Sequence, residues 1–351
     1  MRRESALANQ ATVTNLIRRV RNQRWLISAG LGVLVVCLLY FSLRGVHLSG
    51  IWEQLRRLRP WQILAVLALD LLIYALFGAR WWLLVRVENP RARLIEAIGV
   101  RLSVFGASYF TVGPQIGGEP IQVLYLRRRH GSSLARASAT VALDKLLELL
   151  ANFMFLLLGF GALIRTGILR AATGSATVGL VAVAVLASWP LIHILLLRNN
   201  LYPLSAALRI APLLRRPESR LGRYIRVSER LVGRFCQRKP GLMAAVLGIS
   251  LGACLLAVME YALITSFLDI GLSLWQTISA WTAGWLSFLV PVPAGVGALE
   301  ASQVAALGLF GATAEAAIGV SLLMRGRDIL FGGAGLLLAS NALRSVKSKR
   351  A

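Results

Sequence analysis

This chain is short of acids, cysteines and histidines. Its 351 residues include 15 Asp and Glu against 39 Lys and Arg, with three Cys and three His. Cys37, Cys236 and Cys254 show neither metal-ligand spacing nor a disulfide framework, and Cys37 and Cys254 fall in apolar stretches as packing residues. His47, His130 and His193 are scattered, so no histidine-based metal or catalytic cluster is expected, and no cofactor. No G-x-S-x-G, P-loop or zinc signature occurs, which leaves little for an enzyme. Charge as a whole is sparse, at 15% of residues, while 57% are hydrophobic. With a mean hydropathy of +0.67, a soluble domain is excluded. Several windows approach the roughly 20 apolar residues that span a bilayer.

The net charge of +24 raises nucleic acid as a partner, but the distribution argues against it. Lys and Arg cluster in loops between apolar stretches, the footprint of membrane orientation and anionic headgroups. Residues 1–24 carry Arg2, Arg3, Arg18, Arg19, Arg21 and Arg24 against Glu4, which places the N-terminus in the cytoplasm. A first span runs from Trp25 to Leu43; no small-residue cleavage site follows, so it reads as a retained anchor. Ser49–Pro60 reads as an amphipathic surface segment, although Arg56, Arg57 and Arg59 there run against the positive-inside rule. Further spans are expected at about 61–85, 137–163, 177–197, 242–268 and 314–339. Between them, residues 198–240 form a basic cytoplasmic loop. Its Leu221, Ile225, Leu231 and Phe235 share one helical face, the pattern of an interfacial basic helix.

One motif occurs twice. The first copy is Pro114-Gln-Ile-Gly117-Gly118-Glu119-Pro120 and the second is Pro291-Val-Pro293-Ala-Gly295-Val-Gly297-Ala-Leu-Glu300. Each breaks an apolar stretch, ends on an acid and precedes a long apolar helix. Non-helical backbone at membrane depth must be buried in protein or line a wet cavity. Residues 94–126 therefore read as a hairpin that enters from and returns to the cytoplasm, and residues 273–310 as its counterpart from the outside. The expected fold is all-α and polytopic, with six full spans and two re-entrant hairpins in inverted repeats, residues 25–176 and 177–343, and a basic cytoplasmic tail, 344–351. Legs that cross fully would leave the span parity unchanged.

Several residues are candidates for chemistry. Gly117, Gly118, Gly295 and Gly297 accompany the breaks, and Pro114, Pro120, Pro291 and Pro293 serve as hinges. Glu119 and Glu300 sit where each broken segment restarts as a helix, so they either cap a helix or face a central cavity. Lys145 and Glu148 lie three residues apart, and Arg325 and Asp328 repeat that spacing in the equivalent helix. Either set could be an intrahelical ion pair or a headgroup-binding or gating group. Asp70 and Glu260, one in each second span, read as a proton relay or as partners of an arginine such as Arg80. Arg127 and Arg128, with Arg129, fix topology or hold lipid phosphate.

Three segments carry a family resemblance: Gly117-Gly118-Glu119-Pro120 running to Leu126-Arg127-Arg128-Arg129, then Ala135–Leu149, and Pro293-Ala-Gly295-Val-Gly297-Ala-Leu-Glu300. Together they resemble the lysylphosphatidylglycerol synthase transmembrane-region family of flippase-like membrane proteins, over about residues 20 to 345. That resemblance implies movement of lipids such as aminoacylated phosphatidylglycerol between leaflets, with some stand-alone members tied to hopanoid or glycolipid pathways. The full synthases add a soluble aminoacyl-transferase domain, which a chain ending at Ala351 is expected to lack. The expectation is a flippase or transporter for a phospholipid, aminoacyl-lipid, glycolipid or other polar-headed lipid in the bacterial cytoplasmic membrane, both termini cytoplasmic. Its partners would be anionic or polar-headed membrane lipids, with room for a separate lipid-biosynthesis enzyme and none for nucleic acid; no oligomeric state is implied. Two other readings stay open: a membrane-embedded lipid-modifying enzyme or assembly factor, and a transporter of small solutes or ions.

Overall fold

The computed structural model describes residues 48–110, 117–168, 176–210, 220–290 and 292–348. The expected span Trp25 to Leu43, Pro114 and Pro291 lie outside the described residues. Within them the chain is helical, with no strand.

Among the described residues, three helices are long and apolar enough to cross a membrane: α2 (Pro60–Glu88), α5 (Leu134–Arg165) and α9 (Pro240–Phe267), of 29, 32 and 28 residues. At about 1.5 Å per residue each exceeds the roughly 30 Å hydrocarbon core. α2 and α9 open on a proline in the first turn, where the missing N–H has no intrahelical acceptor to lose. α5 opens on Ser133, whose hydroxyl accepts from the Arg136 N–H at 3.3 Å. Half of the most apolar window of α5 is buried against 28% for the other two, so α5 is the central post.

Between them sit shorter helices. α1 (Leu48–Arg56) lies against the C-terminal helix α12 (Ala314–Ser348). α6 (Ala176–Arg198) packs beside α5, and the basic segment supplies α7 (Pro203–Ile210) and α8 (Arg220–Arg238). Glu229 of α8 closes the start of α7, accepting from the Leu204 and Ser205 N–H groups at 2.9 Å each. α8 buries Val232 and Cys236 against α5 and α6 while Arg230 and Arg234 stay exposed, so its apolar face is spent on protein.

Both repeated motifs interrupt helices. α3 (Leu94–Tyr109, 16 residues) and α4 (Glu119–His130, 12 residues) flank the first. α10 (Leu274–Ser287, 14 residues) and α11 (Ala298–Gly308, 11 residues) flank the second. At about 1.5 Å per residue, none of the four is long enough to cross the core alone. The legs of each pair pack on each other, and the second break holds a single 3₁₀ turn, Pro293–Gly295.

Close backbone approach joins α3 to α12. α3 crosses α12 where Gly106 faces the Gly332 carbonyl and Gly335 faces the Leu102 carbonyl; a Cβ at either glycine would collide with main chain. Small residues at such crossings let helices associate without a strong hydrophobic drive in lipid. α2 and α9 pack along each other, and each buries an acid, Asp70 in α2 and Glu260 in α9.

A charged cavity at the first helix break

A cavity of about 220 Å³ lies between α2, α3, α5, α9, α10 and α12. That volume holds a cluster of waters or a small polar group, since one water occupies about 30 Å³ of liquid. Aromatic side chains form part of its wall, among them Tyr74, Phe77, Phe105, Trp281, Trp285 and Phe288. Eight charged side chains also line it, and they belong to two groups of ion-paired residues.

The first group surrounds α5. Arg80 is wholly buried; its Nε meets Asp144 Oδ1 at 2.9 Å and its Nη2 meets Glu148 Oε2 at 2.5 Å. Arg101 of α3 binds the same two acids, at 3.1 Å to Asp144 and 2.9 Å to Glu148. Lys145 lies 2.8 Å from Glu148 Oε1 and 3.5 Å from Glu119 Oε1. Glu119 also accepts the Gly117 N–H at 2.9 Å, so the break is anchored to the network. Beside it, Gly118 seats against the Val104 main chain, where no Cβ fits, and donates to the Ser108 hydroxyl at 3.0 Å. Each charge at bilayer depth costs about 2.5–3.5 kcal/mol on insertion scales. Mutual pairing inside the bundle offsets that cost.

The second group belongs to α12. Arg327 pairs directly with Glu260 of α9, lies 3.8 Å from Asp70 of α2, and reaches Asp328 at 3.3 Å. All four residues line the same cavity as Arg101, Glu119, Lys145 and Glu148.

Glu300 and Arg325 are placed differently. They pair with each other, and Glu300 accepts the Gly297 N–H at 2.9 Å. Arg325 also donates to the Ala294 and Gly295 carbonyls at 2.9 Å each. Gly295 and Gly297 take positive φ, 62° and 80°, which glycine adopts readily. Neither Glu300 nor Arg325 lines the cavity.

Residues 25–334 match the family model described as the lysylphosphatidylglycerol synthase TM region. The chain belongs to that family. No curated protein and no solved structure gave a match. Membership in the lysylphosphatidylglycerol synthase TM-region family, together with the three apolar helices, identifies an integral membrane protein.

Within this family member, the structure sorts the expected site residues into three places. Asp70, Glu119, Lys145, Glu148, Glu260 and Asp328 share the cavity. Glu300, Arg325, Gly295 and Gly297 form the sealed second break, with Pro293 opening its 3₁₀ turn. Arg127 and Arg128 are exposed at the end of α4, away from the cavity, while Pro120 occupies the first turn of that helix. The Lys145–Glu148 spacing closes as an ion pair, whereas the same spacing at Arg325 and Asp328 does not; these bind Glu300 and Arg327 instead. Asp70 and Glu260 take Arg327 as their arginine rather than Arg80, which is held by Asp144 and Glu148.

Sequence reasoning gave no site role to Arg101, Asp144 or Arg327. A usable signal was present: each is a charge inside a largely apolar helix, and such charges turn toward the protein interior and pair.

Proposed function

We propose that this protein moves a polar-headed lipid between the leaflets of the bacterial cytoplasmic membrane. The headgroup passes through the charged cavity while the acyl tails remain in lipid. The observation that carries this reading is the cavity itself. It brings charges from five separate helices and the first helix break to one cavity, beside membrane-length helices. Five acids and three bases line it (Asp70, Glu119, Glu148, Glu260, Asp328; Arg101, Lys145, Arg327). A headgroup bearing either sign of charge, or hydroxyls alone, meets a partner there. Phospholipid, aminoacyl-lipid and glycolipid headgroups all meet that description.

In this reading the two short-helix pairs are re-entrant hairpins on opposite faces of a six-span inverted repeat, with both termini in the cytoplasm. Lys145, the more accessible base of the first break, engages the headgroup beside Glu119. The decisive experiment is reconstitution of the purified protein into liposomes carrying a leaflet-reporting lipid. Accelerated movement of the reporter is expected. No movement, alongside chemical modification of the lipid, would replace transport with lipid-modifying activity. Topology is tested by labelling Ile116→Cys and Val296→Cys in a cysteine-free background. The first should react from the cytoplasm and the second from outside, and the reverse pattern rules the inverted arrangement out.

A further inference from the structure

The group around Arg327 is unbalanced. One guanidinium serves three carboxylates, and Asp70, Glu260 and Asp328 are 4%, 1% and 7% exposed. Glu260 and Asp328 hold Arg327 directly, through Nη1 and Nε. Asp70 stands back from the same Nη1 at 3.8 Å. Among the described residues, Asp70 Oδ2 and Glu260 Oε1 have no hydrogen-bond partner, and both residues line the cavity. Buried like charges that share a site do not all stay ionised.

Among the described residues, the bases near this group are already committed. Arg325, on the same helix, is committed to Glu300 and two carbonyls. The other two bases that line the cavity, Arg101 and Lys145, are paired with Asp144, Glu148 and Glu119. The α2 face adds the neutral phenol of Tyr74, and α10 adds only the indoles of Trp281 and Trp285.

We infer that Asp70 is a proton-binding site: its carboxylate takes up and releases one proton through the cavity, and Arg327 responds to that change. Asp70 is the member of the three with the longest link to the arginine and with an unpartnered oxygen in a residue that lines the cavity. Uptake converts carboxylate to carboxylic acid and needs no other reactant. With Asp70 neutral, Arg327 stays with Glu260 and Asp328. With Asp70 ionised, the guanidinium is drawn toward α2, away from α9. A charge change in the cavity thereby becomes a change in which helices α12 is tied to. As the coupling step of lipid movement this rests on the transport reading; the proton site itself does not.

Infrared difference spectroscopy on the purified protein in lipid tests the proton directly. At neutral pH the wild type should show a protonated-carboxyl C=O band that vanishes in Asp70→Asn and persists in Glu260→Gln. If Asp70→Asn fails to fold, Asp70→Glu should keep the band at a shifted frequency. An absent wild-type band, a band indifferent to both Asp70 variants, or one abolished by sodium at constant pH overturns the inference. In liposomes, the lipid-transfer rate of the wild type should vary with pH by up to about tenfold per unit, the limit for one proton, and Asp70→Asn should flatten it. The predicted band without lipid movement sinks the transport reading alone. Lipid movement without the band sinks the proton site alone.

Discussion

The two helix breaks use one device in two environments. In each, a glutamate accepts the N–H of a nearby glycine at 2.9 Å, from Gly117 to Glu119 and from Gly297 to Glu300. Each glutamate then meets a base on the next long helix, Lys145 or Arg325. The first pair is accessible, with side chains 31% and 23% exposed, and lines the cavity; the second is 12% and 8% exposed and does not. Residue choice follows the environment. Arg325 presents a planar fork that satisfies a carboxylate and two carbonyls together, whereas Lys145 is a point charge on a flexible stem. A repeated motif thus marks two equivalent places in the chain without giving them equivalent jobs. The second break is a lock, and the first opens on the cavity.

The largest effect that would test this contrast is on stability. Arg325→Leu strips Glu300 of its counter-charge and leaves two carbonyls without their donor. Removing one partner of a buried ion pair costs about 3–5 kcal/mol, so a large drop in the unfolding temperature of the detergent-purified protein is expected. Lys145→Leu should behave oppositely. Glu148 keeps Arg80 and Arg101, and Glu119 faces the cavity, so stability should change by about 1 kcal/mol or less. Lipid transfer in liposomes should nevertheless fall to background. Equal destabilisation by the two variants would erase the distinction between lock and ligand site.

Much of this arrangement was written in the sequence, and the part that was not has a physical reason. The all-helical class followed from apolar run length, and the breaks from Pro and Gly: α4 begins at Glu119 and α11 two residues before Glu300. The Lys145–Glu148 pair followed from helical periodicity. Periodicity states which residues are able to meet along one helix; it does not choose between a local partner and a stronger one on another helix. Arg325 has Asp328 one turn away, yet Glu300 and the bare carbonyls of a broken backbone capture it. For Asp70 and Glu260 the arginine came from α12, a choice fixed by the packing of α2, α9 and α12 and by no local pattern. Helix α8 makes the same point. Its amphipathic face reads alike whether it lies on lipid or, as here, docks Val232 and Cys236 onto α5 and α6.

A smaller effect would sharpen the picture of the lock. Ala294 carries φ 52° within the 3₁₀ turn of the second break, a left-handed conformation that costs a non-glycine residue about 1–2 kcal/mol. Its contribution to the lock is a carbonyl, which accepts from Arg325 at 2.9 Å and would survive substitution. Ala294→Gly should therefore raise stability by about 1 kcal/mol, seen as a higher unfolding temperature with lipid transfer unchanged. A loss of stability would mean that the methyl group packs in a way that outweighs the strain.

The smallest expected effect concerns how the legs of each pair are tied away from the break. In the first pair, Glu96 of α3 accepts from Tyr125 at 2.5 Å and Arg129 at 2.8 Å, both on α4. In the second, among the described residues, no ion pair joins α10 to α11; a hydrogen bond from Gln303 to the Ala280 carbonyl, 3.2 Å, links them. The Arg129 hydrogen bond, with help from Tyr125 and against partial burial, holds the Glu96 carboxyl below its ordinary value of 4.5. A carboxyl lowered in the folded state adds stability that is full above its unfolded value and fades as pH falls through the folded one. Acidification from neutral to below the ordinary carboxylate range should therefore loosen the Glu96 contact between α3 and α4 and leave the Gln303–Ala280 link between α10 and α11 unaffected. Because Arg129 is 57% exposed, solvent screening keeps the effect small. Hydrogen exchange at α3 and α4 against α10 and α11 across that pH range is the suitable measurement. Glu96→Gln should remove the difference between the pairs, and acid sensitivity at α3 and α4 undiminished in that variant would place the titrating group elsewhere.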